Sequence, residues 1–187
     1  MNDDAPLIAE TLAGNSDAFG RLVTKYQDRL YNSLVHVVGS TEEAQDVAQD
    51  AFVQAFLKLS TFQGNSAFFT WLYRIAFNVA ISQRRKHKTT VSIDQQRELS
   101  GNEPLDHNQA PTERIESQER IAQVRTALAA LGEEHRTVLI LREIDNCSYE
   151  EIAEILDLPV GTVRSRLHRA RLELREQLKE SLQEDLK

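Results

Sequence analysis

Cysteine is almost missing from this 187-residue sequence; Cys147 is the only one. That excludes an internal disulfide and any multi-cysteine metal site, and it suits a reducing compartment. Chain breakers are scarce too, with 7 glycines and 4 prolines. A sandwich or barrel of many short strands needs frequent turns, so this composition favours long helices. No apolar run approaches the ~18 residues of a membrane-spanning helix. The start, Met1-Asn2-Asp3-Asp4, is acidic and lacks the basic and apolar stretches of a signal peptide. The five histidines stand apart, at 36, 87, 107, 135 and 168. There is no H-E-x-x-H and no phosphate-cradling glycine loop. The expectation is therefore a cytoplasmic protein with no membrane insertion, no metal and no cofactor. It has no catalytic residues and is not an enzyme.

An excess of positive charge is also lacking, since the net charge is −7. Its distribution says more than its sum. Residues 1–88 are neutral overall, residues 89–118 carry −4, and residues 119–187 carry −3. Yet residues 164–175 hold five arginines and a histidine against one acid, Glu173. Phosphate neutralisation supplies much of the affinity for free DNA. A basic stripe on an acidic protein would therefore bind DNA best with help from a partner.

What is present is helical periodicity in two blocks. Eleven of the twelve aromatics precede residue 88, six of them within 62–77, and only Tyr149 lies later. Two differently built cores follow, hence two small helical domains and an all-α fold. A short helix is expected around Leu7–Ala13. Ser16 and Asp17 can cap the next helix, whose apolar face is Phe19, Leu22, Val23, Tyr26, Leu30 and Leu34. Gly39 ends it. Thr41 opens a helix with a core stripe of Ala44, Ala48, Phe52, Ala55, Phe56 and Leu59. Gly64 breaks the chain. Ser66 opens a third long helix, with Phe68, Leu72, Ile75 and Val79 on one face, ending in the basic run 84–88. Residues 89–116 read as an acidic flexible linker containing Gly101, Pro104 and Pro111. The helical pattern resumes at Ser117 and continues past Gly132. Two shorter helices are expected to follow.

Ser148-Tyr149-Glu150-Glu151 is a capping box, a serine with glutamate three residues on. Ile152, Ala153 and Leu156 then face inward, Leu158 and Val160 plug a short turn, and Val163, Leu167 and Ala170 carry the next packing face. This is the spacing of a helix-turn-helix. It leaves Thr162, Arg164, Ser165, His168, Arg169 and Arg171 outside, where such a helix enters the major groove.

The run Cys147–Glu176, above all Gly161-Thr-Val-Arg-Ser-Arg-Leu-His-Arg-Ala-Arg171, resembles region 4 of extracytoplasmic-function (ECF) sigma factors, the small initiation factors of bacterial RNA polymerase. Asp46-Val-Ala-Gln-Asp-Ala-Phe52 and Phe62-Gln-Gly-Asn-Ser-Ala-Phe-Phe-Thr-Trp-Leu-Tyr-Arg-Ile-Ala-Phe-Asn78 resemble region 2 of the same family. The likeness covers residues 10–88 and 117–182. Gln63 stands where the family commonly has arginine, and Asn146-Cys147 where it commonly has a glycine and an apolar residue.

The resemblance implies a domain 1–88 that binds polymerase and reads and melts the −10 element. It implies a domain 117–187 that reads the −35 element. Asp46, Gln49, Asp50 and Val53, on one face of the second long helix, would dock on the β′ clamp helices; the β flap is the second implied polymerase contact. Phe62, Gln63, Gly64, Asn65 and Ser66 would hold a flipped −10 base, a capture that must offset a few kcal/mol of unstacking. Trp71, Arg74 and Asn78 share a helix face suited to stacking and phosphate contact. Arg84 and Arg85 would touch phosphates. An anti-sigma factor is the expected inhibitor. An autonomous helix-turn-helix regulator would leave the aromatic loop and the Asp46 face idle. A protein-only helical binder would leave the arginine stripe idle. Cys147, beside a helix start, raises a redox role against a packing one.

Overall fold

A computed structural model describes residues 4–90 and 111–184, with side chains over 4–83 and 121–179. Among the described residues eight α-helices follow one another: α1 (Asp4–Leu12), α2 (Ser16–Val38), α3 (Thr41–Lys58), α4 (Phe68–Thr90), α5 (Pro111–Ala130), α6 (Glu133–Leu139), α7 (Tyr149–Leu156) and α8 (Val160–Glu184). No strand occurs among the described residues, as the shortage of breakers implied.

Local signals set most boundaries. The cap of α2 is Asn15, one residue earlier than expected; its side chain accepts from the Asp17 amide at 3.1 Å. Gly39 closes α2 in the left-handed region, φ 79°, and donates to the Val35 carbonyl at 2.9 Å. Ser40 caps α3 by accepting from Glu43 N at 3.3 Å. α1 is pinned by a contact that periodicity did not show. The buried Asp4 carboxylate accepts from Lys25 Nζ and Tyr26 Oη, both at 2.6 Å.

Helices α1–α4 bury one core, in which Leu22, Leu30, Leu34, Phe68 and Leu72 lose all exposure. Each such side chain is worth about 1.5–3 kcal/mol of burial. The stripe on α3 differs from expectation. Val47 and Ala51 are buried, Ala48 is half-buried, and Phe56 is exposed. The cause is that α3 packs against both α2 and α4, so its buried arc is turned towards the side between them.

Three boundaries shift in the second half. α5 starts at Pro111, so residues 111–116 are helical rather than linker. Proline there is no breaker, because the first helical position has no use for its missing N–H. Residues 89 and 90 of the expected linker end α4, and residues 91–110 lie outside the described residues. α8 is long, 25 residues, not a short piece. After α6 the chain makes a π turn over Ile140–Ile144, and Asp145 N bonds Ile140 O at 3.1 Å. Asn146 follows at φ 55°. Glycine is at home in that conformation, and asparagine is among the few other residues that tolerate it.

The halves pack on each other through α4 with α7 and through α2 with the π turn. Arg29 Nη2 donates to the Asp145 carbonyl at 2.6 Å, and Ser33 Oγ donates to Asp145 Oδ1 at 2.5 Å. Arg29 also lies 3.8 Å over the Phe69 ring. Thr70 Oγ1 makes a longer contact, 3.4 Å, to Glu151 Oε1. The joint is imperfect. Asp145 Oδ2 and the Tyr73 hydroxyl are buried without a hydrogen-bond partner in the structure. Each unsatisfied group costs about 1–3 kcal/mol. Burial accordingly raises the Asp145 carboxyl above its ordinary range, against the pull of Ser33 and Arg29. Burial, and then the nearby Asp145 charge, push the Tyr73 phenol well above its own.

Cys147 sits beside this joint, buried. Burial, reinforced by Asp145 and Glu151, pushes its thiol up to about 12. The helix start does not activate it, and the packing role fits better than the redox one. Thiolate is the reactive form, so a maleimide at neutral pH should label the native chain far more slowly than the urea-unfolded chain. Equal labelling rates in the two states would contradict this burial.

Candidate polymerase and nucleic-acid surfaces

The helix-turn-helix forms as the spacing predicts. Ser148 Oγ accepts from Glu151 N at 3.1 Å while Glu151 Oε2 accepts from Ser148 N at 2.7 Å, closing the capping box. Asp157 ends α7 at φ 54°. The Pro159 carbonyl then accepts from Thr162 N and Val163 N, at 2.9 and 3.1 Å, and turns the chain into α8. Val163, Leu167 and Ala170 are fully packed, so the opposite face of α8 must point out.

Arg164, Ser165, His168, Arg169 and Arg171 are exposed there, and Thr162 is half-buried. They do not stand alike. Ser165 Oγ donates within the helix to Thr162 O at 2.9 Å. Arg171 is held by Glu143 of the π turn, through Nη2 at 2.7 Å and Nε at 3.1 Å, which offsets its charge. Arg166, half-buried, is bound to Glu134 at 2.9 Å and belongs to the packing. Arg164 and Arg169 are left as the freest presented guanidiniums of the set.

Two further residues, Arg142 and Tyr149, join this surface that sequence reasoning had not placed in it. Arg142 lies 5.3 Å and Arg164 5.9 Å from the centre of the Tyr149 ring. Arg142 Nη1 also donates to Cys147 O at 2.8 Å. One aromatic ring therefore aligns two guanidiniums beside the start of α8. No local signal announced this, because Arg142 reads simply as a residue of the preceding helix.

The loop before α4 is open. Gln63, Gly64 and Asn65 are exposed, and Phe62 and Ser66 are half-buried. Gly64 takes φ 71°, so a side chain would be strained there although space is free. Asn65 Nδ2 donates to Gln63 Oε1 at 3.1 Å. Phe62 anchors the loop, its ring 5.3 Å from Trp71 and 5.8 Å from Phe68. Trp71 is half-buried in that cluster, and Arg74 and Asn78 extend its face into solvent. Phe69 and Tyr73 are core, while Phe77 is half-buried. The side chains of Arg84 and Arg85 lie outside the described residues.

On α3, Asp46, Gln49, Asp50 and Val53 are all exposed on one face. Asp50 Oδ2 accepts from Gln83 Nε2 at 3.0 Å. Beside them runs an open apolar groove of about 800 Å³ between α2 and α3, floored by Phe19, Val23, Phe52 and Phe56. Leu57 is 73 % exposed, Val53 54 % and Phe56 45 %. A contiguous apolar patch of this kind marks an interaction surface. The sequence pattern hid it by assigning Phe56 to the core. Among the described residues no cluster of metal-ligating side chains occurs, and no helix is long and apolar enough to cross a membrane.

Residues 22–90 match the family described as Sigma-70 region 2, and residues 121–174 match Sigma-70, region 4. The chain is 40 % identical to RNA polymerase sigma-H factor of Pseudomonas aeruginosa, over 91 % of each chain. It is 38 % identical to the ECF RNA polymerase sigma factor SigW of Bacillus subtilis, over 92 % of this chain and 95 % of that one. The chain belongs to the ECF sigma factors. A solved structure with a TM-score of 0.69 and 26 % identity is the sigma factor RpoE in complex with the anti-sigma factor NepR from Bartonella quintana; it covers 86 % of this chain and 96 % of that one. This sigma factor therefore carries both family regions in the expected order. The autonomous-regulator and protein-only readings are set aside.

Proposed function

We propose that residues up to about 88 bind core RNA polymerase and melt the −10 element, and that residues from about 117 read the −35 element. The carrying observation is the recognition helix: Arg164, His168 and Arg169 point out because Val163, Leu167 and Ala170 are fully buried beneath them. Arginine pairs bidentately with guanine in the major groove, which makes Arg169 a base reader. Arg142 and Arg164, lined up on Tyr149, suit adjacent phosphates.

The acidic and amide face of α3 with its apolar groove suits an amphipathic, basic helix of the polymerase. An anti-sigma factor would inhibit by taking the same surface. The factor works in the cytoplasm with the polymerase, and it catalyses no chemistry itself. Co-elution with core polymerase, followed by transcription from a selected promoter, tests the whole reading.

Trp71 stacks on a melted base, worth about 1–3 kcal/mol. Trp71→Ala should leave polymerase association intact and slow opening of a duplex promoter about tenfold or more, read by permanganate footprinting. A premelted template should restore most of the rate. Unchanged opening on the duplex would remove the stacking role.

A further inference from the structure

We propose that α1 braces the loop before α4, with Asp4 as a positioning residue that acts through Tyr26 and Phe68 on Phe62 and Trp71. The inference rests on the −10 reading of that loop and adds what holds it in shape before a base arrives. Asp4 is 1 % exposed and stands in the first turn of a helix of 9 residues. A helix that short is marginal alone, so α1 persists through what it docks on. Leu7, Ile8 and Thr11 are its other buried residues. The Asp4 carboxylate crosses to α2, where Oδ1 accepts from Lys25 Nζ and Oδ2 from Tyr26 Oη, both at 2.6 Å. Lys25 Nζ also lies 5.2 Å from the centre of the Tyr26 ring. Burying such a charge adds little net stability, because desolvation offsets the attraction. Its consequence is geometric: the Tyr26 ring is held by its hydroxyl tip.

Tyr26 passes that position on. Its ring centre lies 5.7 Å from those of both Phe68 and Phe69. Phe68 is fully buried, with its ring 5.8 Å from Phe62 and 5.7 Å from Trp71. Phe62 enters the loop and Trp71 follows it, so these rings close the cluster behind it. α1 also packs on the turn Leu59–Thr61, where the Leu59 carbonyl accepts from Phe62 N at 3.0 Å. One short helix thus supports both the chain entering the loop and the rings beneath it. The loop has little else to fix it, since Gln63, Gly64 and Asn65 are exposed. An unstacked base binds more tightly to a site that is already shaped.

Trp71 is the only tryptophan of the chain, so its fluorescence reports on this cluster alone. In the full-length factor, Asp4→Ala and Tyr26→Phe should shift Trp71 emission to the red and open it to acrylamide quenching, with unchanged helical circular dichroism. The holoenzyme is then given a single-stranded oligonucleotide copying the non-template −10 strand of the selected promoter. Both variants should weaken its capture about fivefold, because a small misplacement of binding groups is costly. Affinity for core polymerase should not move, since the α3 face is untouched. Asp4→Asn keeps an acceptor for the Tyr26 hydroxyl and should restore most of the capture. If Asp4→Ala fails to fold, Tyr26→Phe decides, as it removes a single oxygen atom. Quenching and capture equal to wild type would overturn the brace, as would a looser Trp71 with unchanged capture or a lower melting temperature alone. A wild-type holoenzyme that captures no oligonucleotide, while the variants still loosen Trp71, would keep the brace and remove the −10 reading instead.

Discussion

Asp50→Arg should abolish co-elution with core RNA polymerase while leaving the chain folded. The residue is exposed in the middle of α3, where its carboxylate accepts an exposed hydrogen bond from Gln83. A surface change of that kind usually moves stability by no more than about 0.5 kcal/mol. At an interface the same change is severe. Removing one member of a buried hydrogen-bonded charge pair costs about 2–5 kcal/mol, and setting like charges against each other adds to it. The expected loss is therefore at least thirtyfold in affinity, at an unshifted melting temperature. Asp46 and Val53 flank it one turn away on the same exposed face, so a single substitution does not redistribute the contact. Retention of co-elution would shift the docking burden to the apolar groove. Phe56→Ser would then be the variant to compare.

Arg169→Ala should cost about 1–3 kcal/mol at the −35 element and relax discrimination at one base pair. Its structural cost should be small, because the burial of α8 is carried by Val163, Leu167 and Ala170 on the other face. The measurement is binding of the holoenzyme to a cognate promoter and to single-base variants at the −35 element. A loss confined to one position marks a base reader. A uniform loss with a shallower salt dependence marks a phosphate contact. Arg166→Ala is the contrasting substitution: that side chain is half-buried and tied to Glu134, so its effect should fall on stability instead.

The helix-turn-helix was legible almost residue by residue. Its capping box, plugged turn and packing triad depend on side chains within four residues of each other, and such contacts are written into the order of the chain. The same holds for Gly39 and for the Trp71, Arg74 and Asn78 face. Placement within a local pattern was less legible. Phe56 fits the α3 stripe as well as Val47 does, yet the two are 45 % exposed and buried respectively. Pro111 looked like a breaker and is the first residue of α5.

The sequence by itself determined an all-helical chain, a helix-turn-helix whose second helix presents arginines, and an acidic and amide face on α3. Periodicity, caps and charge runs are local, and they survive whatever the rest of the chain does. Only the tertiary structure decided that α2 and α3 leave an apolar groove open, that Tyr149 aligns Arg142 with Arg164, and that Asp145 is buried against Ser33. Those features depend on how separate elements pack, from Arg142 on Tyr149 to Ser33 on Asp145, 112 residues apart. No spacing rule reaches that far, and burial alone settles which of two similar side chains meets water and which meets a neighbour.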